Sequence, residues 1–190
     1  MWWHSVLRRI KVLIILSVLL FAATTLGKDV FVSALSTDGL VLLYHLNEAG
    51  ATVADSSGNG NDGNVNGPTF VTDGKFDGAF SFDWSNDYFN VLSTPDLNNL
   101  STLTYVAWIY PTRDGTLEIF SKARSNREMR LGGNAPGQYL RGCIVSSGAN
   151  ACSTSSSGLI VLNTWQFVAM TYDDGGDRRV HLFLNGTEVT

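Results

Sequence analysis

The chain has 190 residues, of which 44% are apolar, 16% are charged and 11% are aromatic. The aromatic content excludes a disordered chain, and four prolines exclude a collagen-like one. The formal net charge of −4 argues against a nucleic-acid-binding surface, because phosphate binding needs clustered Lys and Arg.

The N-terminal segment has the pattern of a secretory signal peptide. Three basic residues and no acidic ones occur within the first eleven positions, and an apolar run from 12 to 23 follows. This run is shorter than the ~20 residues that a membrane-spanning helix needs. We predict that residues 1–27 are removed, with cleavage after Ala34 as the alternative. Membrane contact is expected only if the signal segment stays uncleaved.

Removal of that segment leaves 10 basic against 17 acidic residues, a net charge of −7. An exported protein is secreted or held at the cell surface, and either location is oxidising.

Beyond residue 38 the apolar pattern has the period of a β-strand and not of a helix. An opening strand is predicted over 40–46, and the stretch 55–67, rich in Gly, Asn and Asp, is predicted to be a structured loop. Further strands are predicted at 79–82, 88–91, 102–110, 118–122, 139–145, 165–172 and 179–184. Short strands separated by turns predict an all-β antiparallel sandwich or jelly roll.

Two turn signals accompany the last predicted strands. Residues 173–177 (Asp-Asp-Gly-Gly-Asp) predict a hairpin loop, and Asn185-Gly186 predicts a type I′ turn. Only residues 187–190 follow that turn, so we expect the final strands of the sandwich to be missing from this chain.

Five segments in consistent order resemble the laminin-G-like jelly-roll domains of the concanavalin A-like lectin/glucanase class. They are 39–48 (GLVLLYHLNE), 55–63 (DSSGNGNDG), 74–83 (GKFDGAFSFD), 103–112 (LTYVAWIYPT) and 164–186. The resemblance implies a β-sandwich domain over residues 35–190 that is incomplete at its C-terminus. Two departures are Asn47, where the family often has Asp, and Trp84-Ser85, where it has a Gly-containing turn.

The loop from Asp55 to Gly63 is the candidate for ion binding. Calcium takes about six to eight oxygen ligands, and the side chains of Asp55, Asn59, Asn61 and Asp62 offer several. The resemblance implies a structural calcium in some family members. The alternative is that these residues only stabilise turns, since Asn and Asp tolerate left-handed backbone.

A tryptophan in a polar turn is the candidate for ligand binding. Trp84 lies between Asp83 and Asp87, which suits stacking on a sugar ring with hydrogen-bond acceptors beside it. Local packing is the alternative. Trp108 and Trp165 lie in alternating strands and are assigned to the core.

A cysteine pair and two N-glycosylation triplets are interpreted on the basis that the protein is exported. Cys143 and Cys152 flank a predicted hairpin with a spacing that fits neither a metal site nor a Cys-x-x-Cys pair, so we predict a disulfide. The triplets that begin at Asn99 and Asn185 match the N-glycosylation pattern.

The sequence contains no recognisable catalytic motif. A glycosidase needs two carboxylates on one face, and the glutamates beyond the signal are too far apart to share a strand face: Glu48, Glu118, Glu128 and Glu188. His45 and His181 are isolated in the sequence, and no Ser-His-Asp spacing, phosphate loop or zinc motif occurs.

We therefore predict an extracellular recognition module that is not an enzyme and that binds a glycan or an extracellular protein. The main alternative is a purely architectural domain of a larger surface protein. A sandwich glycosidase whose catalytic residues lie beyond Thr190 is the less favoured alternative.

Overall fold

The computed structural model describes residues 3–6, 10–13, 38–98, 100–122, 127–134, 136–146 and 149–190. These residues form fifteen β-strands and one short 3-10 helix, Pro95–Leu97. In chain order the strands are Trp3–Val6 (β1), Ile10–Leu13 (β2), Thr52–Val53 (β3), Gly63–Asn66 (β4), Thr69–Val71 (β5), Ala79–Ser81 (β6), Tyr88–Val91 (β7), Thr102–Pro111 (β8), Leu117–Lys122 (β9), Arg127–Gly132 (β10), Tyr139–Ser146 (β11), Ala149–Thr154 (β12), Gln166–Asp173 (β13), Val180–Leu184 (β14) and Thr187–Glu188 (β15).

The strands form three sheets in which every pairing is antiparallel. A seven-stranded sheet has the order β15-β14-β13-β8-β2-β6-β5. One four-stranded sheet has the order β1-β7-β4-β3, and the other, called the β9–β12 sheet below, has the order β12-β11-β10-β9. The predicted all-β antiparallel sandwich is therefore confirmed.

The core lies between the seven-stranded sheet and the two smaller ones. Phe89 on β7 packs edge-to-face on Phe80 of β6, with 5.1 Å between ring centroids. On β11, a Cβ at Gly142 would collide with Met170 and lie 2.9 Å from Leu182, so only glycine allows the β9–β12 sheet to approach this closely. These contacts give the domain one continuous core.

The predicted opening strand over 40–46 is wrong, because no strand pairing occurs at these residues. Their polar backbone groups bond instead to the Asp55 loop: Ser56 N donates to Leu43 O, and Leu43 N donates to the Asp55 carboxylate. Tyr44 and Leu46 are still buried. The alternation of apolar residues therefore predicted correctly that side chains of this segment are buried, but it predicted incorrectly that the backbone pairs with another strand.

The other predicted strands are confirmed to within one or two residues. Part of the predicted loop over 55–67 is a strand, since β4 begins at Gly63. The strands β3, β5 and β10 were not predicted, and β12 is the second strand of the hairpin predicted between Cys143 and Cys152. The turn at Asn185-Gly186 is confirmed as type I′, with φ values of 51° and 84°.

The predicted signal peptide, residues 1–27, lies outside the described residues except for β1 and β2. β1 pairs with β7, and β2 lies between β8 and β6. Cleavage of this segment stays a prediction, because pairing in the intact chain does not test it. Within the described ranges, no helix has the length and apolar character needed to cross a bilayer.

Candidate functional site

The Asp55 loop is organised around a single carboxylate. Asp55 Oδ1 accepts hydrogen bonds from Leu43 N and Ser57 N, both at 2.9 Å. Asp55 Oδ2 accepts from the Ser57 hydroxyl at 2.7 Å and from Asn61 N at 2.9 Å. A carboxylate offers about four lone-pair positions, so these donors use all of them.

The asparagines of the loop fasten it to the opening segment. Asn59 Nδ2 donates to Leu40 O at 2.8 Å, and Asn61 Nδ2 donates to Val41 O at 2.7 Å. The side-chain oxygen of Asn61 accepts from the Thr94 hydroxyl at 2.8 Å. Both asparagines therefore act as connectors between segments far apart in the chain.

This arrangement does not fit a calcium ion. A bound cation would have to displace donors from Asp55 and Asn61, and Asp62 Oδ1 already accepts a bond from Asp55 N at 2.8 Å. No group of three or more His, Cys, Asp or Glu among the described residues is arranged to hold a metal. The calcium site stays a prediction of the sequence.

Hydrogen bonding also decides the charge of Asp55. Burial by itself raises the pKa of this carboxyl, but the bonds from Leu43, Ser57 and Asn61 outweigh burial and hold the pKa below its usual value. The carboxylate is therefore ionised at neutral pH, as the four donors require.

The turn at Trp84 is built from its two aspartates. Asp87 Oδ2 accepts from Asp83 N at 2.6 Å, and Asp83 Oδ1 accepts from Ser85 N at 2.8 Å. Trp84 has a φ of 78°, in the left-handed region that glycine adopts most readily. The Arg113 guanidinium lies 3.4 Å from the Trp84 ring centroid.

These contacts leave little of the turn for a ligand. Asp87 is only 4% exposed, and one face of the Trp84 ring is already covered by Arg113. Asp83 is exposed. Sugar binding at these three residues stays a prediction, and the geometry agrees better with the alternative of local packing.

A charged cluster that sequence reasoning missed lies on the β9–β12 sheet. Its members, called the outer-face cluster, are Glu118, Glu128, Arg130 and Arg141. In the strand register, Arg130 on β10 lies opposite Glu118 on β9 and opposite Arg141 on β11. Glu128 lies two residues before Arg130 on β10. Neighbouring residues such as Met129 point into the core, so the cluster occupies the opposite face.

The outer-face cluster combines burial with incomplete hydrogen bonding. Glu128 is 3% exposed, and its Oε1 lies 3.5 Å from Arg130 Nε and 3.8 Å from Arg141 Nε, at or beyond the limit of a hydrogen bond. Four buried atoms of the cluster have no hydrogen-bond partner among the described residues: Glu118 Oε2, Glu128 Oε2, Arg130 Nε and Arg141 Nε.

One carboxyl of the cluster has a raised pKa. Burial, and then the charge of Glu128, raise the pKa of Glu118 to about 7, while Arg130 opposes this shift. Glu118 is thus close to half-protonated at neutral pH. A β-bulge between Met129 and Arg130 brings Glu118 to this face, because the pairing skips Ile119.

Sequence reasoning missed the cluster for a definite reason. The sequence criterion of a shared strand face covers only carboxylates on one strand, whereas Glu118 lies on β9 and Glu128 lies on the adjacent β10, which was not predicted. The alternation Glu128-Met129-Arg130, with a buried methionine between charged residues, was the available signal.

The raised pKa of Glu118 leads to a pH-dependent stability. The folded state binds this proton more tightly than the unfolded chain, where the pKa is 4.5, so its contribution is present below pH 4.5 and lost as pH rises to about 7. The free energy of unfolding of the wild type should therefore decrease between pH 5 and pH 8. After allowance for solvent screening of this partly exposed side chain, we expect this decrease to be about 1–2 kcal/mol smaller in Glu118→Gln. Urea unfolding at the two pH values measures the decrease in each protein. The exposed Glu48→Gln is the control, and equal pH slopes for wild type and Glu118→Gln would contradict it.

The remaining sequence candidates have structural roles. Cys143 and Cys152 face each other across β11 and β12 and form the predicted disulfide, with Cα atoms 4.2 Å apart. His181 is not isolated, because Nδ1 lies 2.6 Å from Glu188 Oε1 and Nε2 lies 2.8 Å from Asp177 Oδ2. These contacts raise the pKa of His181. The Asn99 acceptor lies outside the described residues.

Comparison with known protein families identifies a match. A family model described as the concanavalin A-like lectin/glucanases superfamily, Laminin_G_3, matches residues 83–190, which is more than half of the chain. Comparisons with curated proteins and with solved structures find no match.

Proposed function

Since the chain belongs to the concanavalin A-like lectin/glucanase superfamily, we propose that it is an extracellular, non-catalytic recognition module that binds a glycan at the outer-face cluster. The observation that carries the proposal is a charged cluster on an outer sheet face in which the side chains of Arg130 and Arg141 are 28% and 35% exposed. A guanidinium group has five N–H donors, so this partly exposed face offers hydrogen-bond donors to the hydroxyl groups of a sugar.

Other features support an extracellular binding module. The Cys143–Cys152 disulfide fits an oxidising location. The Asp55 loop and the antiparallel sheets give a rigid scaffold, and a site on strands is held more precisely than one on loops. A glycosylated extracellular protein would bind in the same way, through its attached glycans.

The proposal is tested by binding of the 190-residue chain to a glycan array, followed by titration of the best ligand. We expect Arg141→Gln to weaken binding about tenfold, since a ligand group would lose its donor. Arg179→Gln, an exposed arginine outside the cluster, is the matched control. Absence of any bound glycan at millimolar concentration, or equal affinity of wild type and Arg141→Gln, would favour the architectural alternative.

One observation favours a second candidate function, glycoside hydrolysis. The pKa of Glu118 is raised to about 7, as is typical of a general acid, and Glu128 supplies a second carboxyl on the adjacent strand. Release of reducing ends from the ligand found above, lost in Glu118→Gln, would establish hydrolysis. A protein that binds the glycan without hydrolysing it would leave the ligand intact over hours.

A further inference from the structure

Among the described strands that end a sheet, β12 is the one long strand without protection against pairing with another chain. The other sheet ends are shorter: β3, β5 and β15 have two or three residues, and β1 has four. β9 has six residues but carries the charged Glu118 and Lys122. β12, Ala149–Thr154, also has six residues and contains neither a charged residue nor proline. Short length, charge and proline are the usual means by which proteins prevent edge-to-edge association, and β12 has none of them.

The outer edge of β12 offers the backbone groups of three residues. Ser155 N donates to Leu140 O at 2.9 Å, and in an antiparallel ladder hydrogen-bonded pairs alternate with non-hydrogen-bonded ones. The strand register then places Asn150, Cys152 and Thr154 in non-hydrogen-bonded pairs, so their N–H and C=O groups point away from β11. The Cα atoms of the disulfide are 4.2 Å apart, which agrees with the spacing of about 4.5 Å in such pairs. Within the described ranges, no backbone hydrogen bond from another segment reaches these outward groups.

The neighbouring β13–β14 hairpin leaves this edge open. A groove of about 370 Å³ separates β12 from the start of β14, with residues 150–153 on one side and 178–180 on the other. The hairpin loop beside the groove carries both signs of charge, and Arg178 Nη2 lies 3.2 Å from Asp174 Oδ1. A surface with balanced charges can face its own copy without net repulsion, whereas a strongly acidic or basic partner would meet like charge.

We infer that β12 is a dimer interface, in which two copies of the chain pair their β12 strands antiparallel around a two-fold axis at Cys152. In this register Cys152 lies opposite Cys152 of the partner subunit, and Asn150 lies opposite Thr154 of the partner subunit. All outward backbone groups of both strands then find partners, because each opposed pair of this kind exchanges two hydrogen bonds. The strand has only small, uncharged residues, so no like charges and no bulky side chains oppose the approach.

The dimer places two outer-face clusters on one surface. A two-fold axis between antiparallel strands runs perpendicular to the sheet, so the outer faces of both β9–β12 sheets stay on the same side. The two β10 strands are separated by five strand spacings of about 4.8 Å each, or ~24 Å. Such a pair of sites binds a glycan with repeated epitopes more tightly than a single site does. This consequence rests on the proposed function, whereas the dimer does not.

Sedimentation velocity of the 190-residue chain tests the dimer. Interfaces formed by one pair of short strands are small and weak, so the concentration series should extend to about 500 µM. We expect the mass to rise from 20.6 kDa towards twice that value. A variant with both Asn150→Glu and Thr154→Glu sets like charges opposite each other across the interface and should weaken dimerisation at least about tenfold.

Two further double variants make this test specific for the register. Asn150→Lys with Thr154→Glu sets opposite charges across the same pairs, and dimerisation should return to within about threefold of the wild type. Asn64→Glu with Thr69→Glu adds the same negative charge at exposed strand residues elsewhere and should leave dimerisation unchanged. If the edge variants fail to fold by circular dichroism, hydrogen exchange of the wild type decides. The amide protons of Asn150, Cys152 and Thr154 should then exchange more slowly at about 500 µM than at about 5 µM.

The outcomes separate the dimer from the proposed function. A monomer at every concentration overturns the inference and leaves the edge of β12 to a strand of a different protein. Dimerisation that both charged edge variants weaken equally, or that neither weakens, overturns the pairing at β12. Amide exchange at the three outward groups that does not depend on concentration, in a chain that dimerises, overturns it as well. Glycan binding by the monomer is measured separately on the array, so each of these results leaves the proposed function standing.

Discussion

Asp55→Ala should lower the free energy of unfolding by about 3 kcal/mol, which corresponds to a fall in melting temperature of about 6–12 °C for a chain of this size. The carboxylate accepts four hydrogen bonds, three of them from the backbone N–H groups of Leu43, Ser57 and Asn61. Its removal leaves those donors without partners and releases the opening segment from the loop. Thermal unfolding followed by circular dichroism measures the change.

Two controls define what the Asp55 result means. Asp62→Ala removes a carboxylate whose Oδ1 accepts a hydrogen bond from Asp55 N, so we expect the free energy of unfolding to fall by only about 1 kcal/mol. Addition of EDTA should leave the melting temperature of the wild type unchanged, because the loop is held by its own hydrogen bonds. A fall with EDTA that disappears in Asp55→Ala would instead show that the loop rearranges to bind calcium.

Replacing both Cys143 and Cys152 by Ser should lower the free energy of unfolding by about 2–3 kcal/mol, measured by denaturant titration. The disulfide joins directly opposed residues of β11 and β12 and restricts the unfolded chain. β12 is an edge strand of its sheet, held by pairing on one side only, so the crosslink also protects that edge.

The disulfide prediction has an independent check. Intact mass after alkylation without reductant should show no modified cysteine in the wild type, and two modified cysteines after reduction. Labelling of two thiols before reduction would contradict the crosslink. An unfolding free energy for the double variant equal to that of the wild type would show that the hairpin is held by its ladder alone.

Local sequence patterns predicted most of the strands, the last turn and the disulfide. The period-two alternation within 102–110 and 165–172 predicted β8 and β13, because successive side chains on a strand point to opposite faces whatever surrounds it. Turn chemistry at Asn185-Gly186 was equally local, since both residues need positive φ. With only two cysteines in the chain, the pairing of Cys143 with Cys152 needed no spatial information.

Interactions between distant segments were decided only by the tertiary structure. The backbone of residues 40–46 forms hydrogen bonds with the side chains of a loop and not with another strand. An alternating apolar pattern shows which side chains are buried, but it does not identify the hydrogen-bond partners of the backbone. Trp84 sits in a polar turn, as the sequence indicated, yet Arg113 from beyond β8 covers its ring.

The outer-face cluster shows the physical reason most clearly. In the register that pairs Met129 with Phe120, an uninterrupted ladder would place Glu118 opposite Leu131, on the core face. The bulge after Met129 skips one residue and brings Glu118 opposite Arg130 instead. A shift of one residue exchanges the two faces of a strand. The amino-acid pattern therefore predicted β9 and β11, and only the pairing of both with β10 decided that two carboxyls and two guanidinium groups meet.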